Sequence, residues 1–402
     1  MDTYFPDQTQ DGQDTPPARW LGPDPLTVVD LSDSSKEELN RLEVLNASVV
    51  VGVIDKIEDL TRLGWGCGEP FRASGHRVSK ALRWAGLCDV VLVPQEVAID
   101  ERALVYTSEH AGAALPAYRP WVAVADIDGE LDRIADRVRS FPFAAVTLVQ
   151  VLRAGPSADI ARDLLVESLA YSTLQAGPEH SSWLSNRGLT HHTGLDEGQP
   201  VLLHRQGSVL TVTLERPRVK NAYSAAMRDR LHEALHLAMA DPTVEDIQLF
   251  GSGTDFCSGG DLEEFGTGPG PCVCHMVRSM CSPALDMASV SARVTVHLHG
   301  ACVGAGIELP ALAGRVFATA DTRIRLPEIT MGLIPGAGGT ASLPRRIGRH
   351  RTAWLALTGD WLSAPTALSW GLIDAVEPVD RFSTTAQARP RPICSHSGNS
   401  RT

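Results

Sequence analysis

With 402 residues, 43% of them hydrophobic and 21% charged, the chain is long enough for two or three domains with cores of their own. Lysine and arginine number 36 against 48 acidic residues, and the formal net charge of -12 argues against nucleic acid as the main partner. The N-terminus lacks the basic and apolar regions of a secretory signal, and no apolar run approaches the roughly 18 residues of a membrane span. The composition therefore predicts a cytoplasmic protein with no membrane partner.

Residues 1–24, rich in Asp, Gln and Pro, read as a disordered arm. The apolar runs "LTVVDL", "SVVVGVID", "DVVLVPQ" and "WVAVADID" then alternate with polar or helical stretches, which predicts a mixed α/β domain over 25–185. Its clearest helix is "SADIARDLLVESLAYSTLQAGP", with Ser157 as the cap, Ile160, Leu164 and Leu165 on one face, and Gly177-Pro178 as the stop. Glu167 inside that helix reads as a solvated or paired side chain, and this half shows no recognisable site.

A polar linker, 186–200, carries His191 and His192, adjacent loop histidines with no third ligand in view. "VLLHRQGSVLTVTLE" follows as a hairpin around Gln206-Gly207, then a capped amphipathic helix and the strand "IQLF". Strand and helix alternate from 201 to 378, a second α/β domain, and 379–402 has the composition of a disordered tail. The cysteines do not form a disulfide scaffold. Their tight cluster, "CVCH" at Cys272 to His275, lacks the spacing of a metal site, so reduced, partly buried thiols and no metal are expected.

Three segments carry chemistry: "FCSGGDLEEF" from Phe256, "HGACVGAGIELP" from His299 and "RLPEITMGLIPGAGGTASLPRRIG" from Arg325. Glycine lets backbone N–H groups approach a ligand with no side chain in the way. Two such turns face to face can donate two N–H groups to one carbonyl oxygen, an oxyanion hole. Glu308 and Glu328 lie beside these turns and can hold a water and move protons. A dinucleotide-binding turn is the rival reading. The glycines do not form G-x-G-x-x-G, however, and Glu308 would set negative charge against a pyrophosphate. "RRIGRHR", Arg345 to Arg351, reads as a solvated helix face.

Together the three segments resemble the crotonase, or enoyl-CoA hydratase/isomerase, family. "FCSGGDL" is similar to its first oxyanion loop, "HGACVGAGIEL" echoes NGxxxGxGxEL, and "PEITMGLIPGAGGT" matches PEIxxGLIPGAGGT throughout; the likeness spans about 201–378. The resemblance implies a ClpP/crotonase-like spiral of ββα units in the C-terminal half, preceded by the mixed α/β region. It implies Gly260 and Ala305 as oxyanion donors and Glu308 and Glu328 as the catalytic pair, with Glu328 the main proton donor and Glu308 the residue that activates water. Lys220, Ala222, Cys257, Ser258, Gly259, Asp261 and Leu262 would seat substrate and coenzyme A, with Arg218 beside Lys220 as a second cation for phosphate. No cofactor is implied beyond the coenzyme A that the acyl-CoA substrate carries. The implied activity is hydration of a 2-enoyl-CoA in fatty acid metabolism. An isomerase, a cofactor-independent acyl-CoA dioxygenase of the same superfamily, and a non-catalytic acyl-CoA-binding protein are the alternatives. Members usually continue past "GLID" with helices that cover the acyl pocket and build a trimer or hexamer. A homo-oligomer is therefore implied, and the N-terminal helix is the expected substitute for that cover.

Overall fold

The computed structural model describes residues 25–31, 48–54, 86–95, 121–187 and 198–378. The arm, the tail, His191 and His192 lie outside the described residues. The four apolar runs of the first half form parallel strands paired in the order β1-β2-β3-β4: β1 Leu26–Asp30, β2 Val49–Val53, β3 Val90–Pro94 and β4 Val122–Val124. Every residue of β2 is buried, as expected for a parallel strand covered on both faces.

Helices α1 Ile127–Ser140, α2 Pro142–Ala154, α3 Ile160–Gln175 and α4 Pro178–Asn186 follow. The cap of α3 is Asp159, not Ser157: its carboxylate accepts from the Ala161 and Arg162 N–H groups, because it directly precedes the first helical residue. The Ser157 hydroxyl instead donates to Asp163 at 2.7 Å. Ile160 and Leu164 pack on the core, whereas Leu165 is 47% exposed, so the apolar face is narrower than the sequence pattern implied. Pro178 begins α4 at once, where its missing N–H would be unpaired in any case.

In the second half, β5 Val201–Gln206 and β6 Val209–Leu214 form the expected hairpin, with Gly207 at φ 60°. Next come α5 Ala225–Ala240, β7 Asp246–Gly251, α6 Pro271–Met280 and α7 Pro283–Ser289. Two strand pairs then follow, β8 Val294–Leu298 with β9 Ala301–Val303 and β10 Arg315–Ala318 with β11 Arg323–Arg325. In each pair the first strand joins a six-stranded sheet, β13-β10-β8-β7-β6-β5, and the second a three-stranded sheet, β12-β11-β9, where β12 is Leu362–Ser363 and β13 is Ala375–Val376. A helical segment closes each pair: α8 Ala305–Glu308 after β9, and α9 Gly339–Thr358 after β11 and a 3-10 turn at Glu328–Met331. α10, Ala364–Trp370, completes the described chain between β12 and β13. This is the expected spiral of ββα units.

α9 packs on α1, α2, α3 and β3, and buried side chains of both halves form one continuous apolar cluster. The arginine run is therefore a clamp, not a solvated face. Arg345 pairs with Asp163 at 2.7 Å, Arg349 lies 3.6 Å from Asp89, and Arg351, only 3% exposed, donates to the Trp121 carbonyl at 3.2 Å. Gly348, at φ 77° inside α9, bends the run so that arginines on either side reach different partners, and the planar guanidinium fork suits them. Deleting residues 1–195 uncovers this face of α9. The remainder should be insoluble or inactive when soluble yield and turnover are measured, and a soluble, fully active fragment would contradict the single shared core.

Candidate active site

The first glycine loop is fixed to β9 by backbone. Cys257 donates to the Ala301 carbonyl at 3.2 Å and accepts from the Val303 N–H at 3.0 Å. The approach is so close that a Cβ on Gly306 would sit 2.5 Å from the Cys257 carbonyl oxygen. Asn221, fully buried at φ 54°, staples the loop from below: its Oδ1 accepts from the Arg216 N–H at 2.8 Å, and its Nδ2 faces the Ser252, Asp255 and Phe256 carbonyls. Tyr223 N–H to the Gly259 carbonyl at 2.7 Å and Asp261 N–H to the Tyr223 carbonyl at 3.0 Å bracket Gly260.

The Gly260 and Ala305 N–H groups make no backbone hydrogen bond among the described residues. Ala305 opens α8, so its N–H is one of the orphans of a helix start. Both residues line a cavity of about 680 Å³, together with Asp261, Glu308 and Glu328. Lys220, Ala222, Cys257, Ser258, Gly259 and Leu262 lie outside its wall. The buried Cys257 thiol is pushed up to about 12 by desolvation and points to the Gly259 carbonyl at 4.0 Å, so it packs rather than reacts. Lys220 is mostly exposed, 3.6 Å from Asp255; Ser258 N–H donates to the Lys220 carbonyl at 2.9 Å, and Ala222 N–H to the Val219 carbonyl at 3.1 Å. Asp261 pairs with Arg216 at 2.9 Å, and Leu262 is 47% exposed.

The two glutamates converge over Gly304, whose φ of 49° only glycine adopts readily. A Cβ there would lie 2.5 Å from Glu328 Oε1 and 3.6 Å from Glu308 Oε1. Glu308 Oε2 accepts from the Ala337 and Gly339 N–H groups at 2.8 and 2.9 Å. Glu328 Oε2 is buried with no partner. Burial and the charges of Glu328 and Glu167 push Glu308 well above the usual carboxylate range, and burial pushes Glu328 up to about 8.

The first half contributes the opposite wall, against the expectation that it carries no part of a site. Glu167 is 2% exposed, neither solvated nor paired with a cation, and accepts from the Gly338 N–H at 2.7 Å, the Thr340 N–H at 2.8 Å and the Thr340 hydroxyl at 2.7 Å. Desolvation pushes it up to about 7. Tyr171 lies so close over Gly336 that a Cβ there would be 2.3 Å from its ring. Arg278 of α6 stacks on the same ring and donates to Ser168 Oγ at 3.1 Å. The signal for this wall was the acid itself, Glu167 inside "LLVESLA". In "CVCH", Cys272 is exposed, Cys274 lines the cavity and His275 Nδ1 meets Ser168 Oγ at 2.9 Å, so these side chains do not converge on an ion.

Residues 204–400 match the family described as Enoyl-CoA hydratase/isomerase. A 1,2-epoxyphenylacetyl-CoA isomerase of Escherichia coli (strain K12) is 34% identical over 197 residues, 48% of this chain and 75% of that protein. A 2,3-dehydroadipyl-CoA hydratase of the same organism is 32% identical over 180 residues, 45% of this chain and 70% of the relative. Among solved structures, an enoyl-CoA hydratase from Thermoplasma volcanium GSS1 is 29% identical with a TM-score of 0.43, over 47% of this chain and 76% of that one. No helix among the described residues is long and apolar enough to cross a membrane. By its sequence likeness to these proteins, the chain belongs to the enoyl-CoA hydratase/isomerase family.

Proposed function

We propose that this enzyme adds water reversibly across the 2,3 double bond of a 2-enoyl-CoA thioester. The observation that carries the reading is the pair of glutamates over Gly304, one oxygen of which has no partner, in the same cavity as two N–H groups with none. The Gly260 and Ala305 N–H groups would hold the thioester oxygen and stabilise the enolate as charge develops on it. Burial raises both acids; the Ala337 and Gly339 N–H groups offset part of that for Glu308, so in the reacting state of this reading Glu308 is the ionised partner and Glu328, whose Oε2 has no donor, carries the proton. Glu308 takes a proton from the water as its oxygen bonds to C3, and Glu328 gives its proton to C2. One proton has then passed from Glu328 to Glu308, and its return resets the site.

Leu164, Tyr171, Leu184 and Phe265 supply an apolar wall for the acyl chain. Coenzyme A would lie toward Lys220, Ala222 and the Cys257–Gly259 backbone, with the Lys220 ammonium available to a phosphate. Oxygen addition to an enolate needs the oxyanion hole but no held water, so the glutamate pair favours hydration over a dioxygenase, a branch in which an N-terminal extension also occurs. A homo-oligomer remains part of this reading.

Loss of the conjugated thioester absorbance over a panel of enoyl-CoAs tests the assignment. Glu308→Gln and Glu328→Gln should each lower kcat by about 10²- to 10⁴-fold. Turnover untouched by both, no turnover on any chain length, or oxygen uptake with an arylacetyl-CoA would overturn it.

A second expectation follows from the raised Glu328. The folded chain binds this proton more tightly than the unfolded chain, whose carboxyl titrates near 4.5. Its contribution to stability is full below that value and is lost as the pH rises through about 8. Urea midpoints for Glu328→Gln should fall less over this range than those of the wild type; parallel curves would contradict the raised value.

A further inference from the structure

α5 and α7 pack together on the far side of the wall formed by Pro283, Ala284 and Leu285. His232 and His236 are one helical turn apart on α5 and therefore share a face, their rings 4.1 Å apart. α7 sets Asp286 against both. Its Oδ2 is 2.6 Å from His232 Nδ1 and its Oδ1 is 3.2 Å from His236 Nε2. The Asp286 side chain is only 9% exposed, so a carboxylate has been brought out of water to meet two imidazoles.

We propose that His232, His236 and Asp286 bind a divalent transition-metal ion, zinc in the first instance, at a site separate from the catalytic cavity. Two imidazole nitrogens with one carboxylate oxygen is a donor set that suits zinc. Its bonds of about 2.0–2.2 Å, arranged tetrahedrally, separate neighbouring donors by about 3.3 Å. The His236 Nε2–Asp286 Oδ1 pair already stands at 3.2 Å, the His232 Nδ1–Asp286 Oδ2 pair, now 2.6 Å, would open by about 0.7 Å to reach the tetrahedral separation, and one donor atom from each of the three residues lies within 4.8 Å of the others. Each imidazole offers the required lone pair once its proton resides on the other ring nitrogen, so binding needs no change in charge on either ring. His236, with its side chain 56% exposed, leaves an entry path and room for water as a fourth ligand. Because α7 also carries Pro283, Ala284 and Leu285, the ion would brace one wall of the acyl cavity from outside.

The test is zinc binding to the chelator-treated full chain, followed by calorimetry and by metal content after gel filtration. The expected result is one zinc per chain, with affinity weakened by at least the order of 10- to 100-fold in His236→Gln and in Asp286→Asn, since loss even of an outer-shell partner has that effect. His236→Gln alters a half-exposed side chain, and unchanged circular dichroism confirms its fold. Cys272→Ser should bind as the wild type does. Absence of stoichiometric binding, or affinity unchanged by His236→Gln and abolished by Cys272→Ser, would overturn the proposal.

Discussion

Four consecutive backbone N–H groups at the start of α9 are divided between two buried carboxylates, and the site depends on that division. Ala337 and Gly339 donate to Glu308, while Gly338 and Thr340 donate to Glu167. A helix start leaves such groups without intrahelical partners, and its dipole favours negative charge beside it. Each buried acid in turn needs donors to offset its desolvation. Glu308 belongs to the ββα spiral and Glu167 to the first half, so one turn of backbone ties the two halves at the cavity. The same device recurs nearby, where Glu179 of α4 accepts from the Phe143 and Ala144 N–H groups at the start of α2.

This arrangement accounts for the electrostatic asymmetry of the three acids. Glu167 and Glu308 hold donors, and Glu328 has none on Oε2. Like charges brought this close repel, and that repulsion adds to desolvation in raising Glu308 and Glu328. In the proposed reaction the acid with an unpartnered oxygen, Glu328, is the one that exchanges a proton with the ligand. The first half thus does more than line one wall of the cavity. Its acid secures the turn that orients Glu308, and its arginine contacts along α9 keep that turn registered against the spiral.

Much of this was legible in the sequence. The glycine turns pointed to Glu308 and Glu328 beside them, the family resemblance supplied Gly260 and Ala305, and the structure brings those four residues to one cavity. The strands of both halves were readable as apolar runs. The partners of charged residues were not. Glu167 and the run from Arg345 to Arg351 have the composition of solvated surface, and only the packing of the first half against α9 gives them their partners. Asn221 was invisible for a similar reason: a buried amide that joins two loops has no local signature. The trio of His232, His236 and Asp286 joins two helices that are distant in sequence, so helical spacing could reveal only the histidine pair.

The most direct test of the shared helix start is amide hydrogen exchange at Gly338 and Thr340 in Glu167→Ala, read alongside kcat and KM for the same variant. The account predicts faster exchange at those two amides and a kcat lowered by on the order of 10²-fold with KM little changed, because a displacement of about 1 Å at a catalytic group is enough for such a loss. A folded variant with wild-type exchange at both amides and wild-type kcat would contradict it.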